Sequence, residues 1–103
     1  MDAESMIFED EILDLVKFRL NRQSSDKTLD DYLRARIAAA EEDLQSTGIL
    51  LQPTPRDKML VVDMVAWAYG NRDKGDPMPE WLRLARRERW LQQQRDITAG
   101  GTT

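Results

Sequence analysis

The segment MLVVDMVAWAYG, residues 59–70, has one charged side chain, although charged residues make up 33% of the 103-residue chain. Its apolar side chains recur at helical spacing along two stripes instead of one. The stripes are Leu60, Met64, Trp67 and Ala68, and Val61, Val65 and Tyr69. A surface helix needs only one apolar face. The segment is therefore either a central helix enclosed within one subunit, or a helix that gives its second stripe to a neighbouring subunit.

Amphipathic spacing predicts four helices along the chain. Apolar side chains recur every third or fourth residue in each predicted segment, and polar residues separate the segments. The predicted segments are residues 8–20, 28–47, 56–71 and 79–94. We therefore expect an all-α fold, a small bundle of about four helices.

Several residues predict where these helices begin and end. Thr28 is expected to cap the second helix, and Gly48 is placed to end it in a left-handed conformation. Pro55 suits the first turn of the third helix. The prolines around Thr54 exclude a continuous helix there and permit a short extended segment at 49–52.

The length of the chain sets the expected domain organisation. About 100 residues suffice for one hydrophobic core but not for two. We predict a single helical domain over residues 1–95. The small-residue segment 96–103 is predicted to be a disordered tail. The apolar run at 59–70 is too short for a transmembrane span, which takes about 20 residues.

The composition argues against an enzyme. The chain contains no histidine and no cysteine, which removes the commonest general base and the usual transition-metal ligands. Its five glycines form no phosphate-binding loop. Adjacent carboxylates such as Glu41 and Glu42 point to different sides of a helix. We expect no catalytic residue, no metal site and no cofactor.

The charges are distributed unevenly. The net charge is −4, but residues 1–14 hold six acidic side chains and no base, whereas 83–95 hold five arginines and one glutamate. Arg83, Arg86 and Arg87 share a side of the last helix and lie close to Trp90. These arginines could coat a solvated helix, pair with the acidic N-terminus of a neighbouring copy, or contact phosphates.

Asp63 is the only charged residue in the apolar run. It could be a buried acid that forms an ion pair with an arginine of another chain. It could also be the solvent-facing position of the helix, or a member of a local ion pair. A buried charge without a partner would be too costly to persist.

Three segments together resemble the head-to-tail connector, or adaptor, proteins of tailed bacteriophages and prophages. They are DDYLRARIAAAEEDLQSTGI (30–49), DKMLVVDMVAWAYGNRD (57–73) and MPEWLRLARRERWL (78–91). The resemblance covers roughly residues 12–91. The second and third segments carry the most specific pattern: an aspartate in an apolar helix, then Trp67 and Tyr69, a glycine-bearing loop, and Met-Pro before Trp81.

The resemblance implies a helical, non-enzymatic structural protein of the virion. Such a protein forms a homo-oligomeric ring, typically a dodecamer, beneath the portal protein, and is made in the host bacterial cytoplasm. The tail or a stopper protein docks on the ring, DNA passes through it, and no membrane is involved. The alternative interpretation is a small helical phage protein that binds nucleic acid or assists DNA packaging.

Ten residues are candidates for interaction or packing. Asp63, Arg72, Asp73 and three arginines of the last helix are predicted to make intersubunit or portal contacts, with Arg72 and Asp73 also shaping the preceding loop. Those three arginines are Arg83, Arg86 and Arg87. Aromatic side chains are predicted to anchor the packing: Trp67, Tyr69, Trp81 and Trp90.

Overall fold

The computed structural model describes the backbone of residues 3–101 and the side chains of residues 9–99. Within this part of the chain there are four helices and no β-strand, which confirms the predicted all-α fold class. The helices are α1 (Ala3–Arg19), α2 (Asp30–Ser46), α3 (Pro55–Gly70) and α4 (Glu80–Gly101). None of these four is both long and apolar enough to cross a membrane.

The apolar segment forms most of α3, the central helix. α3 packs against α1, α2 and α4, and α1 and α2 also pack against each other. Both predicted stripes contribute to the core, with Leu60 and Met64 from one and Val61 and Val65 from the other. The apolar surface of α3 is therefore largely enclosed within one subunit, as the first of the two interpretations proposed.

Helices α1, α2 and α3 form the body of the molecule. Their buried side chains make one cluster that includes Ile12 and Val16 of α1 and Leu33 and Leu44 of α2. The radius of gyration is 14.7 Å, larger than the roughly 13 Å expected for a domain of this length, and the molecule measures 49 × 35 × 19 Å. The extra extent is consistent with α4 packing mainly against α3 instead of completing a four-helix bundle.

Two predicted helix ends are confirmed. The Thr54 hydroxyl accepts a hydrogen bond from the Asp57 amide at 3.3 Å, and Pro55 opens α3. At the end of α2, Gly48 has φ +98°, and its amide donates to the Gln45 carbonyl. The Ile49 amide donates to Leu44, which completes a Schellman motif.

Residues 49–52 form neither helix nor strand, which agrees with the prediction that the prolines exclude a continuous helix there. Three other boundary predictions differ from the structure. Thr28 does not cap α2, because its amide is held in a turn by the Asp26 carboxylate and the helix begins two residues later. α1 begins at Ala3, before the predicted residue 8. α4 continues to Gly101, so residues 96–101, predicted to be a disordered tail, are helical.

Candidate interaction surface on the last helix

The last helix is attached to the body by one buried leucine and a polar network. Leu82 is fully buried, whereas most of the side chains described over residues 80–99 of α4 are at least partly exposed. The Arg89 Nε donates to Asp57 Oδ1 at 2.6 Å, and Arg89 Nη2 donates to Asp57 Oδ2 at 3.0 Å. Asp57 is 1% exposed. This is a bidentate, almost buried ion pair between α3 and α4.

The same network fixes the segment that joins α2 to α3. The Gln93 side chain accepts from the Leu50 amide at 2.6 Å and donates to the Gly48 carbonyl. Arg89 Nη2 donates to the Leu50 carbonyl at 2.9 Å, and the Gln52 amide donates to Asp57 Oδ2 at 2.8 Å. We call the side chains Asp57, Arg89 and Gln93, with the backbone of residues 48–52, the Asp57 clamp. It satisfies polar groups that helix packing would otherwise leave unpaired.

The hydrogen bonds from Arg89 to Asp57 raise the pKa of the Arg89 guanidinium above its ordinary value, although partial burial acts in the opposite direction. Arginine is in any case charged throughout the ordinary pH range, so the Arg89 side of the pair carries its charge there.

α4 leaves several large apolar side chains exposed. Trp81 and Leu84 are each 51% exposed, Ile97 is 53% exposed and Trp90 is 38% exposed. The prediction that Trp81 and Trp90 anchor the packing is therefore wrong for the core of this subunit. The helix turns Leu82, not its neighbour Trp81, toward α3. Only Trp67 and Tyr69 of the predicted anchors pack against the core, both partly buried.

A shallow groove lies where α4 passes the end of α2. It has a volume of about 360 Å³ and is lined by Thr47, Ile49, Arg83, Arg86, Arg87 and Trp90. We call it the Trp90 groove. The indole lies close to Gly48, because a Cβ at residue 48 would come within 3.4 Å of Trp90 Nε1. The three arginines of α4 that were predicted as interaction residues therefore line one groove.

The three arginines of this groove are not equivalent. Arg86 Nη2 forms an ion pair with Asp43 of α2 at 3.0 Å, so the charge of Arg86 is partly neutralised within the subunit. Arg83 and Arg87 are exposed at the edge of the groove. The groove therefore combines an apolar wall, from Ile49 and Trp90, with two solvent-facing guanidinium groups.

Asp63 forms a local ion pair, which was one of the plain interpretations of its position. Its Oδ1 accepts a hydrogen bond from Arg19 Nη1 at 2.6 Å, and its side chain is 23% exposed. It therefore links α3 to α1 within the subunit.

The remaining predicted residues lie near the loop that joins α3 to α4. The Arg72 guanidinium lies over the Tyr69 ring, 4.1 Å from its centroid, and donates to the Tyr69 carbonyl. Asp73 is exposed in the loop. The Tyr69 ring also makes an edge-to-face contact with Tyr32 of α2, with centroids 6.2 Å apart. Arg72 thus packs on the end of α3, and its predicted roles in shaping the loop and in contacts with another chain stay predictions.

The predicted opposite charge of the two termini is partly neutralised within the subunit. Asp10 of α1 pairs with Arg34 at 2.9 Å, and Glu11 pairs with Lys58 of α3. Asp14 is exposed on the outer side of α1. The acidic side chains of Asp2 and Glu4 lie outside the described residues.

Sequence reasoning missed the most buried charges. Asp57 and its partner Arg89 are one case. The other is Lys17, 2% exposed, which pairs with Asp30 at 2.7 Å and donates to the Ser24 carbonyl at 3.0 Å. Lys17 follows Val16 and lies on the buried face of α1. This position in the apolar pattern was the sequence signal that could have identified Lys17 as a buried charge. Asp57 lies three residues after Thr54, the N-cap of α3. An acidic residue in the first turn of a helix is common, so nothing in the sequence marked Asp57 as buried.

A scan against known protein families, a search of curated proteins and a comparison with solved structures each return no match. Among the residues whose side chains are described, no group of three or more histidine, cysteine, aspartate or glutamate side chains could hold a metal ion. The side chains that this surface offers to a partner are guanidinium groups and indoles of α4.

Proposed function

We propose that this protein is a non-enzymatic structural subunit of the phage head-to-tail junction, which assembles as a ring on the portal and receives the tail or a stopper protein. The proposal combines the sequence resemblance with one structural observation. That observation is the large apolar surface that α4 leaves exposed: Trp81 and Leu84 lie together on one side of the helix, and Trp90 lies beside arginines on another.

Exposed tryptophan and arginine together are typical of protein interfaces. Both residue types are enriched among the side chains that contribute most to binding free energy. Isolated exposed apolar residues need no explanation, but Trp81 and Leu84 lie three residues apart on the same side of α4 and together form a contiguous apolar patch. Because the core of the body is already complete without Trp81 and Leu84, we assign these side chains to contacts with other protein chains.

The architecture suits a docking subunit. The Asp57 clamp sets the angle of α4 through directional hydrogen bonds, so the exposed side chains are presented on a helix of fixed orientation. Preorganised surfaces lose less conformational entropy on binding than mobile ones do.

The portal protein encoded in the same genome provides the direct test. Mixed with the purified portal ring, the chain is expected to give a complex whose mass, by multi-angle light scattering, corresponds to several copies per ring. Replacing both Trp81 and Leu84 by serine is expected to weaken binding, whereas Met59→Ser, at a residue of α3 that is 42% exposed, serves as the matched control. Absence of wild-type binding, or particles that join heads to tails without the protein, would refute the proposal.

A nucleic-acid-binding function is the second candidate, because Arg83, Arg86 and Arg87 lie beside Trp90 in one groove. Basic side chains next to an aromatic ring are typical of single-strand binding surfaces. With Arg86 paired to Asp43, only two or three phosphates could be contacted. Affinity for DNA that falls steeply with salt, and that is lost in the Arg83→Glu, Arg87→Glu double variant, would favour this function over the first.

A further inference from the structure

The outer side of α1 carries the most exposed large apolar side chain of the described residues. Phe18 is 81% exposed, and Leu15, three residues earlier, is 37% exposed. Asp14, four residues before Phe18, is exposed on the same side of the helix. We call Asp14, Leu15 and Phe18 the Phe18 stripe. It presents an aromatic ring next to a carboxylate.

The Trp90 groove has the complementary chemistry. Its wall is formed by Ile49 and the indole of Trp90, and its edge carries the exposed guanidinium groups of Arg83 and Arg87. A phenyl ring is smaller than the groove volume of about 360 Å³. Arginine also stacks favourably on aromatic faces, by about 0.5–1 kcal/mol at exposed sites. Both the apolar and the charged groups of the stripe thus have counterparts in the groove.

We infer that the Phe18 stripe of one copy docks in the Trp90 groove of a second copy, with Phe18 against Trp90 and Asp14 facing Arg83 and Arg87. The inference rests on the proposed function, because it names the contact through which the subunits would associate. Opposite charge on the two surfaces argues for a second copy as the occupant.

The contact has a defined symmetry. The stripe lies on α1, and the groove is formed by α4 and the residues that follow α2, so the two surfaces share no residue. An interface between two different patches is heterologous: after every contact the growing assembly as a whole still has one free stripe and one free groove. Association of this kind continues until a ring closes, or along an open filament if the rotation between copies does not close, whereas a two-fold dimer would stop at two copies.

Two variants of the full chain test this arrangement. Phe18→Ser removes the inserted side chain, and the double variant Arg83→Glu, Arg87→Glu reverses the charge of the groove. Each variant alone is expected to have a self-association constant at least tenfold weaker than the wild type, because each loses a central interface side chain. All three side chains are exposed, so the variants are expected to fold normally, which circular dichroism can verify.

Mixing the two variants gives the sharpest result. The groove variant still has an intact stripe, and the Phe18→Ser variant still has an intact groove, so one contact can form between them. Sedimentation velocity is expected to show heterodimers in the mixture and nothing larger, whereas the wild type forms larger species. In a second mixture, the Asp14→Arg stripe would face the Arg87→Glu groove, so opposite charges would again meet. This mixture is expected to associate, although neither variant does so by itself.

Controls with matched chemistry lie elsewhere on the surface. Met59→Ser removes an exposed apolar side chain of α3, and Arg95→Glu reverses an exposed arginine two turns beyond Arg87. Both are expected to associate as the wild type does. Comparable weakening by either control would overturn the inference, because the effect would then not depend on the stripe or the groove.

The outcomes separate this inference from the proposed function. Unchanged association of Phe18→Ser, a mixture without heterodimers, or a wild type that stays monomeric to about 1 mM, where weak contacts are populated, would overturn the contact. Binding of the wild type to the portal ring would still support the proposed function in each of those cases. Loss of portal binding alongside an intact stripe-to-groove contact would refute the proposed function alone.

Discussion

The body and the last helix are held together by different kinds of interaction. In the body, α1, α2 and α3 share a continuous apolar cluster with fully buried side chains from each helix, such as Val16, Leu33 and Val61. α4 contributes Leu82 to that cluster, with Ala85 partly buried against it, and its polar contacts with the body are the Asp57 clamp and the Arg86–Asp43 ion pair. Apolar packing supplies most of the free energy of the body, whereas directional polar contacts fix the position of α4.

This difference bears on how the two regions unfold. Apolar burial is spread over many side chains, so no single hydrogen bond decides whether the body stays folded. A buried ion pair depends on both partners, and removing one leaves an uncompensated charge in a desolvated place. α4 and the segment 48–52 are therefore expected to open together, at a lower free energy than the body.

The largest effect is expected for Asp57→Ala. The substitution leaves the Arg89 guanidinium and the Gln52 amide without their partner, at a cost of about 3–5 kcal/mol. Amide hydrogen exchange is expected to show that α4 and residues 48–52 lose protection first, while α1 and α2 keep theirs until global unfolding.

Asp63→Ala is the matched control, because it also removes an aspartate of α3 that pairs with an arginine. That pair is more exposed, so the expected loss is at most about 1 kcal/mol. Equal effects of the two substitutions on α4 would contradict the distinction between the clamp and an ordinary surface ion pair.

Leu33→Ala tests the body in the same way. Leu33 is fully buried, and the cavity left by its truncation is expected to cost about 2–5 kcal/mol in the free energy of unfolding, measured by urea denaturation. Since the body is one apolar unit, protection should fall together in α1, α2 and α3. Selective loss in α2 alone would show that the body is less cooperative than its packing implies.

Gly48→Ala is expected to have an intermediate effect. Alanine at φ +98° is strained by about 1–2 kcal/mol, and its methyl group would contact the indole of Trp90 at about the limit of close packing. Trp90 fluorescence and the urea midpoint should therefore both change. A stable variant with unchanged fluorescence would mean that the end of α2 does not constrain α4.

The smallest effect concerns an unfavourable charge in the body. Partial burial, together with the nearby Glu9 carboxylate, raises the pKa of Glu41 above its ordinary value of 4.5. Since the folded state then holds this proton more tightly than the unfolded state, the ionised form destabilises the fold above the raised pKa. As the pH falls through that pKa, the penalty is lost.

Glu41→Gln is therefore expected to stabilise the protein at pH 7 by at most about 0.5 kcal/mol. The gain should shrink as the pH falls through the raised pKa of Glu41 and be absent in thermal melts recorded below the ordinary pKa of 4.5. A gain that persists in acid would mean that the glutamine stabilises through packing and not through removal of charge.

The fold was predictable to the extent that periodicity determines it. The two stripes of α3 identified a helix with more apolar surface than one face can use, and the end of α2 at Gly48 followed from the need for a positive φ. The extra turns of α1 and α4 were not predictable in this way, because their sequences lack an apolar stripe there. The failed Thr28 cap reflects a competing side chain, Asp26, that hydrogen-bonds the same turn.

The residues that line the Trp90 groove were predictable from the sequence, but the side of α4 that faces the core was not. The grouping of Arg83, Arg86 and Arg87 near Trp90 followed from helical spacing, and the structure places all four in one groove. Whether Trp81 or Leu82 faces the core depends on the rotation of α4 about its axis. That rotation is consistent with the pairing of Asp57 with Arg89, residues 32 positions apart, and local sequence patterns do not report such distant pairs.

The attachment of α4 at Leu82 and Gln93 leaves the last two turns of the helix extending beyond the clamp. At 1.5 Å per residue, the eight residues from Gln94 to Gly101 reach about 12 Å. A fluorophore attached to a cysteine substituted for Thr98 would therefore lie on this helical extension. Its polarisation would report the tumbling of the entire particle, which makes this end of the chain a natural place for a probe that counts how many copies have joined.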